Sequence, residues 1–175
     1  LAYYGFADLL DQQDKVRLLI DPTSSYAQAA AMAMGRAMDD VIIAAATGTA
    51  STGETGSGSE SAQTAIAASV GSTTGLNIPK LAKAKETFDL ASVDPSIPRH
   101  IIVSPEQINN LLNVTEVTSS DFNTVKALVQ GEIDTFLGFK FTVSNRLAKS
   151  GNDRTCIAFA QDGITLAIGK DVNAR

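Results

Sequence analysis

From Ala27 to Ala45 the apolar positions fall three or four residues apart: Ala27, Ala30, Met34, Ala37, Met38, Val41 and Ala45. That spacing puts them on one face of a helix. Ser24 or Ser25 suits its N-cap, and Gln28 stands three residues after Ser25 as a capping-box partner. The helix is expected to run to about Ala46, with Gly48 placed for a left-handed C-cap. Its apolar face is mostly Ala and Met, which permits close packing against another backbone. Before it, residues 15–20 read as a short strand broken by Asp21-Pro22, and Tyr3, Tyr4 and Phe6 make an aromatic lead-in.

The pattern then vanishes. Residues 47–75 are almost wholly Gly, Ser, Thr and Ala, interrupted only by Glu54, Glu60, Gln63, Ile66 and Val70. Such a tract has almost no side chains to bury, so it cannot build a core. A structureless insert of this length is uncommon in a compact domain unless it has a role. It reads as a flexible linker or as an arm paired with another strand, with faint strand character over 63–70.

From Asn77 the periodicity returns. Ile78-Pro79 opens a helix with Pro in its first turn, continued by Leu81, Ala84, Lys85, Phe88 and Ala91. Pro98 precedes an apolar strand over 100–103. Ser104, Pro105 and Gln107 then occupy the N-cap, first-turn and capping-box positions of a helix whose inner face is Ile108, Leu111 and Leu112. Residues 119–130 read as a further helix ended by Gly131, and 136–143 as a strand interrupted by Gly138. At the end, 155–160 and 164–168 flank Asp162-Gly163, a type I′ hairpin signal. In that register Phe159 would face Leu166 and Ile157 would face Ile168. Cys156, Ala158, Thr165 and Ala167 would then form a face of small residues suited to close packing under a helix. The expectation is an α+β fold in three parts: 1–46, dominated by the long helix; the extended tract 47–76; and an α+β domain, 77–175, with a C-terminal hairpin.

Composition narrows the function. The chain has 175 residues, enough for one domain or a little more. Aliphatic residues dominate, Trp is absent, and the net charge is -5. That balance argues against nucleic-acid binding as the main activity, which needs clustered Lys and Arg. The single Cys156 excludes an internal disulfide and a Cys-based metal site. No apolar run approaches the ~20 residues that span a bilayer. The chain begins at Leu1 rather than Met, which reads as a fragment.

Catalytic patterns fail their context tests. The one His, His100, begins a buried-type strand and reads as structural. There is no Gly-x-Ser-x-Gly elbow. Gly56-Ser57-Gly58 resembles the start of a dinucleotide loop, but Ser61 stands where the third Gly belongs and the run comes after a helix rather than a strand. Gly169-Lys170-Asp171 lacks the rest of a P-loop. Asp39 and Asp40 are adjacent on a helix, so they point about 100° apart and cannot work as a paired acid and base. No cofactor or metal is expected.

Several segments, taken in order, carry a family likeness. Leu19-Ile20-Asp21-Pro22-Thr23-Ser24-Ser25-Tyr26-Ala27-Gln28, opening a long helix, resembles the entry to the spine helix of tailed-phage major capsid proteins. The Ser/Thr/Gly-rich tract and then Leu81-Ala82-Lys83-Ala84-Lys85 are similar to the stretch after the spine helix in those proteins. Also similar are Arg99-His100-Ile101-Ile102-Val103-Ser104-Pro105, the run from Thr115 through Ser119-Ser120-Asp121-Phe122 to Ile133, Phe136-Leu137-Gly138-Phe139, and Ala167-Ile168-Gly169-Lys170-Asp171. The likeness covers nearly the whole chain.

The resemblance implies a coat protein of the Hong Kong 97 type. In that fold a peripheral domain carries the spine helix and an axial domain lies near the capsomer centre. Residues 1–46 would be the end of the extended loop and the spine helix, and 77–175 most of the axial domain. The N-terminal arm and the last peripheral strands of the family would lie outside the chain. Implied with it are homo-oligomers, hexamers and pentamers of an icosahedral shell around DNA. Scaffolding and portal proteins would be partners; there would be no catalysis, and the site of action would be the virion, with assembly in the bacterial cytoplasm. Arg36, Asp39, Asp40, Glu132 and Asp134 are candidates for salt bridges between subunits, against a plain reading as solvated surface. Two alternatives stand beside it: an encapsulin-like compartment shell protein, and a small-molecule-binding α+β domain with 47–75 as a mobile lid.

Overall fold

The computed structural model describes residues 4–5, 23–52, 54, 58–60, 64–71, 75–113 and 135–169. The chain divides into two compact units, Leu1–Ala44 with Leu166–Arg175, and Ala45–Thr165. Helix α1, Thr23–Thr47, is 25 residues long; it takes in the expected periodic segment but begins before the expected caps, so that Ser24 and Ser25 lie inside it, and ends one residue past Ala46. The expected strand at 15–20 and helix at 119–130 lie outside the described residues.

The second unit is organised around a four-stranded sheet. Its strands are β4 (Thr135–Phe136), β5 (Phe139–Val143), β3 (Arg99–Val103) and β8 (Ile157–Ala160), in that spatial order. β3 runs parallel to β5 and antiparallel to β8. On β3, Arg99, Ile101 and Val103 are buried, while His100 and Ile102 on the other face are half-buried. The register sets Ile101 beside Phe141 and Ala158, which therefore share its face. Two helices contribute to the same core: α2 (Ile78–Leu90) through Leu81 and Ala84, and α3 (Pro105–Leu112) through Ile108 and Leu111. Val103, Leu111 and Phe139 are fully excluded from water. Burial of side chains of that size contributes about 1.5–3 kcal/mol each.

Both helices start where the sequence places them. Asn77 caps α2, its Oδ1 accepting from the Lys80 N–H at 3.0 Å, with Pro79 in the first turn. At α3, Gln107 Oε1 accepts from the Ser104 N–H at 3.0 Å and also from the Ser104 hydroxyl, with Pro105 in the first turn. Arg99 is buried at the start of β3 and ties that strand to the end of α2. Its Nη2 donates to Asp89 Oδ1 at 2.8 Å and to the Val93 carbonyl at 3.3 Å, and its guanidinium lies 5.4 Å from the centre of the Phe88 ring.

The tract 47–75 departs from expectation. It is neither a bare linker nor an arm awaiting a foreign strand throughout: β1 (Ala50–Thr52) and β2 (Gly58–Glu60) pair with each other antiparallel. Further on, the Val70 N–H donates to the Ala67 carbonyl, closing a turn, and Ile66 packs against the core. Backbone hydrogen bonds supply what side chains lack, and the one large aliphatic residue in the middle of the tract anchors it.

The hairpin expected at Asp162-Gly163 is not formed. Gln161–Gly163 is a single 3-10 turn, and 164–168 forms no strand and has no strand partner among the described residues. A type I′ turn needs positive φ at both central residues, and neither Asp162 nor Gly163 has it. β8 pairs with β3 instead, so Phe159 stands opposite His100 and Ile157 opposite Ile102. The central strand offers β8 a buried ladder, which outweighs a local turn preference. Two tight hairpins form elsewhere. Leu137 (φ 52) and Gly138 (φ 83) join β4 to β5 in the geometry expected for Asp162-Gly163, and Gly138 is thus the turn rather than a break in one strand. Gly151-Asn152 joins β6 (Lys149–Ser150) to β7 (Asp153–Arg154). The small-residue face of β8 is as expected in part: Cys156 and Ala158 pack against the core.

Candidate assembly surface

Helix α1 is the most exposed long element described. Ile43 is its one buried residue among those whose side chains are described. Ala30, Met34, Ala37, Met38 and Val41 form a half-buried stripe, as the spacing predicts, whereas Ala27 and Ala45 are exposed. Ala27 and Ala45 lie in the same sector of a 3.6-residue helix as Met34 and Met38, so spacing does not account for their exposure. Tyr26 and Met32 are large apolar side chains in water, at 42% and 65% exposure.

Arg36 stands four residues after Met32, and Asp39 and Asp40 stand three and four after Arg36, so the four line one broad side of the helix with Asp39 and Asp40 at its two margins. Arg36, Asp39 and Asp40 are all exposed. The structure therefore brings three of the five sequence-derived interface candidates onto one surface, with Met32 beside them. Sequence reasoning missed Met32, although an apolar residue on the charged side of the helix was a visible signal. Glu132 and Asp134 lie outside the described residues.

Among the described residues, His100 and Cys156 are engaged in packing and Asp94 in a local turn. His100 stacks on Phe159 with ring centres 5.6 Å apart and planes 21° from parallel, across the β3–β8 pair. Burial pushes the Cys156 thiol up to about 11, against smaller opposing pulls from Lys80 and Arg154, so the nucleophilic thiolate is scarce at neutral pH. Asp94 is held below the usual carboxylate range by the Ser96 N–H, 2.8 Å from its Oδ1, and by the Ser96 hydroxyl; it is part of a local turn. Among the described residues no group of three His, Cys, Asp or Glu side chains is placed to hold a metal ion. None of the described helices is long and apolar enough to cross a membrane.

The end of the 47–75 tract is clamped to the helices. Asn77 Nδ2 donates to the Val70 carbonyl at 3.1 Å, and Lys80 Nζ to the Gly75 carbonyl at 2.6 Å. Gly71 (φ 70) lies so close to Pro79 that an added Cβ would stand 2.7 Å from its ring carbons. These contacts fix one end of a segment that would have to swing if it were a lid over a ligand site.

A sheet with helices on one face, and a long exposed helix before it in sequence, define an α+β protein. The family model for phage capsid protein matches residues 1–175, and the chain belongs to that family. Among solved structures it is similar to a chain from Mycobacterium phage Che8, with a TM-score of 0.60 and 24% identity over 87% of this chain and 51% of that one. It is similar also to the capsid structure of the Cyanophage P-SCSP1u, with a TM-score of 0.56 and 22% identity over 82% of this chain and 47% of that one. The chain thus spans about half the length of the solved chains it matches. Among curated proteins none matches significantly. The fold is the Hong Kong 97-like α+β capsid fold, and family membership gives the protein a structural role in the capsid shell.

Proposed function

We propose that this chain is the portion of a major capsid protein that places α1 between neighbouring subunits, in hexamers and pentamers tiling an icosahedral shell around DNA. The observation that carries the reading is α1 itself: 25 residues with Ile43 the one buried among those described. Intrinsic propensity gives marginal stability to a lone helix in water, and most helical stability in proteins comes from packing an apolar face. A helix of Ala, Met and Val left half in water is completed by a neighbour. Arg36, Asp39 and Asp40, with Met32, supply the mixed polar and apolar character of an interface rim. Glu132 and Asp134 remain candidates for the same role.

In this reading the protein performs no catalysis and binds no cofactor, and it meets packaged DNA only indirectly, as its net charge of -5 favours. It acts in the virion after assembling in the host cytoplasm, with scaffolding and portal proteins as partners. Residues 1–46 and 77–175 correspond to the spine-helix portion and the axial-type domain. The anchoring of 64–71 through Ile66 and Asn77 speaks against the mobile-lid alternative. The experiment is electron microscopy of the full-length protein. Capsomers or closed shells are expected; a uniform monomer would overturn the reading.

A further inference from the structure

We infer that the edge of β8 left unpaired among the described residues is a docking strand, and that its occupant is the segment 164–168 of a second copy of this chain; the inference rests on the capsid reading above. The sheet has two edges. β4, at one, has only two residues. β8, at the other, has four, Ile157–Ala160, and then Gln161, whose N–H continues the ladder to the Pro98 carbonyl at 3.0 Å. Natural sheets guard free edges with charge, proline, bulges or a covering element. Ile157, Ala158, Phe159 and Ala160 include no charge and no proline, and β8 pairs only with β3 among the described residues.

The hydrogen-bond phase says which groups are free. In an antiparallel pair, alternate residues exchange bonds with the partner and the others point away. Gln161 bonds across to Pro98, so Phe159 and Ile157 also turn their backbone groups toward β3. Ala158 and Ala160 therefore present their N–H and C=O groups outward. The matching element is 164–168, Ile-Thr-Leu-Ala-Ile, which alternates, is rich in strand-forming residues and pairs with no strand among the described residues. Ile164 already has extended dihedrals, φ -130 and ψ 124. Leu166 and Ile168 are 40% and 55% exposed. Added to β8, Ile164, Leu166 and Ile168 would extend the row of Ile157 and Phe159. A slip of one residue would offer Thr165 and Ala167 instead, so the apolar pattern fixes the register. Main-chain pairing gives the affinity and the alternating side chains the specificity.

The alternation supplies an internal control. Amide hydrogen exchange is measured on the full chain across a concentration series spanning free protein and assembled particles, with sedimentation to track size. The expected result is that Ala158 and Ala160 exchange freely in the monomer and slow by about 100-fold or more on assembly, while Ile157 and Phe159 are protected throughout. Assembled particles in which Ala158 and Ala160 stay unprotected would overturn the inference and leave the capsid reading standing. Protection independent of concentration would mean an intrachain hairpin and also overturn it. A chain that never associates, with the edge always open, would overturn both. Ala160→Pro is the companion variant. Ala160 has φ -80, which proline tolerates, and the N–H it removes is outside the β3 ladder. It is expected to fold like the parent and to associate at least about 10-fold more weakly.

Discussion

Two glycines separate steric cost from backbone cost. Gly71 and Gly138 both have positive φ, but an added Cβ at Gly71 meets the Pro79 ring at 2.7 Å, while at Gly138 it meets nothing within 4 Å. Gly138→Ala should therefore cost only the left-handed backbone penalty, about 1 kcal/mol. Gly71→Ala should cost about 2–3 kcal/mol, because a rigid ring must also shift. Urea unfolding of both variants checks the difference; equal costs would contradict the clamp at Gly71. Cys156 gives a second test at this scale. Its folded pKa is raised to about 11 from 9.0, so the unfolded chain loses that proton first as the solution becomes alkaline. The half-buried neutral thiol thus contributes stability that is fully present below pH 9.0 and is lost as pH rises through about 11. The loss is up to about 3 kcal/mol. Unfolding free energies of the parent should fall more steeply than those of Cys156→Ala as pH rises from 9.0 to about 11; parallel curves would contradict a desolvated thiol.

Caps decide where the helices of the second unit begin, and one cap also holds the preceding tract. Asn77 accepts from the Lys80 N–H and donates to the Val70 carbonyl. Asn77→Ala should lose about 1–2 kcal/mol in urea unfolding. Asn77→Asp keeps the acceptor without the donor and should recover about half of that; no recovery would mean that the cap bond contributes nothing. Elements with such local signals were legible in the sequence. α1 was legible from its period, α2 and α3 from Asn77, Pro79, Ser104, Pro105 and Gln107, and β3 from its apolar run. The hairpins were not. Asp162-Gly163 has favoured turn residues but lies where β8 already has a better partner in β3, whereas Leu137-Gly138 has an unfavourable Leu in the left-handed region. Partner choice in a sheet depends on burial across distant segments, which no local window contains. The β1–β2 pair was illegible for a related reason: its strands, built from Ala, Ser, Thr, Gly and Glu, have no hydrophobic alternation to read.

At the scale of the molecule, the core and the surface account for different things. The sheet and two helices enclose an aliphatic and Phe core that explains the fold of the second unit. Among the exposed apolar residues, Tyr26 and Met32 on α1 and Leu166 and Ile168 after β8 are not explained by any packing described within one chain. The order of the motifs pointed to the family, and spacing placed Arg36, Asp39 and Asp40 on one helix face, but which surface meets a neighbour depends on a symmetric assembly that one chain does not contain. Electron microscopy of the full-length protein tests the central claim most directly, with Met32→Glu as the paired variant. Met32 is 65% exposed, so its replacement should leave the subunit folded. The account predicts closed shells or hexameric and pentameric capsomers from the parent, and smaller species from the variant at the same concentration. Uniform monomers from the folded parent would contradict it.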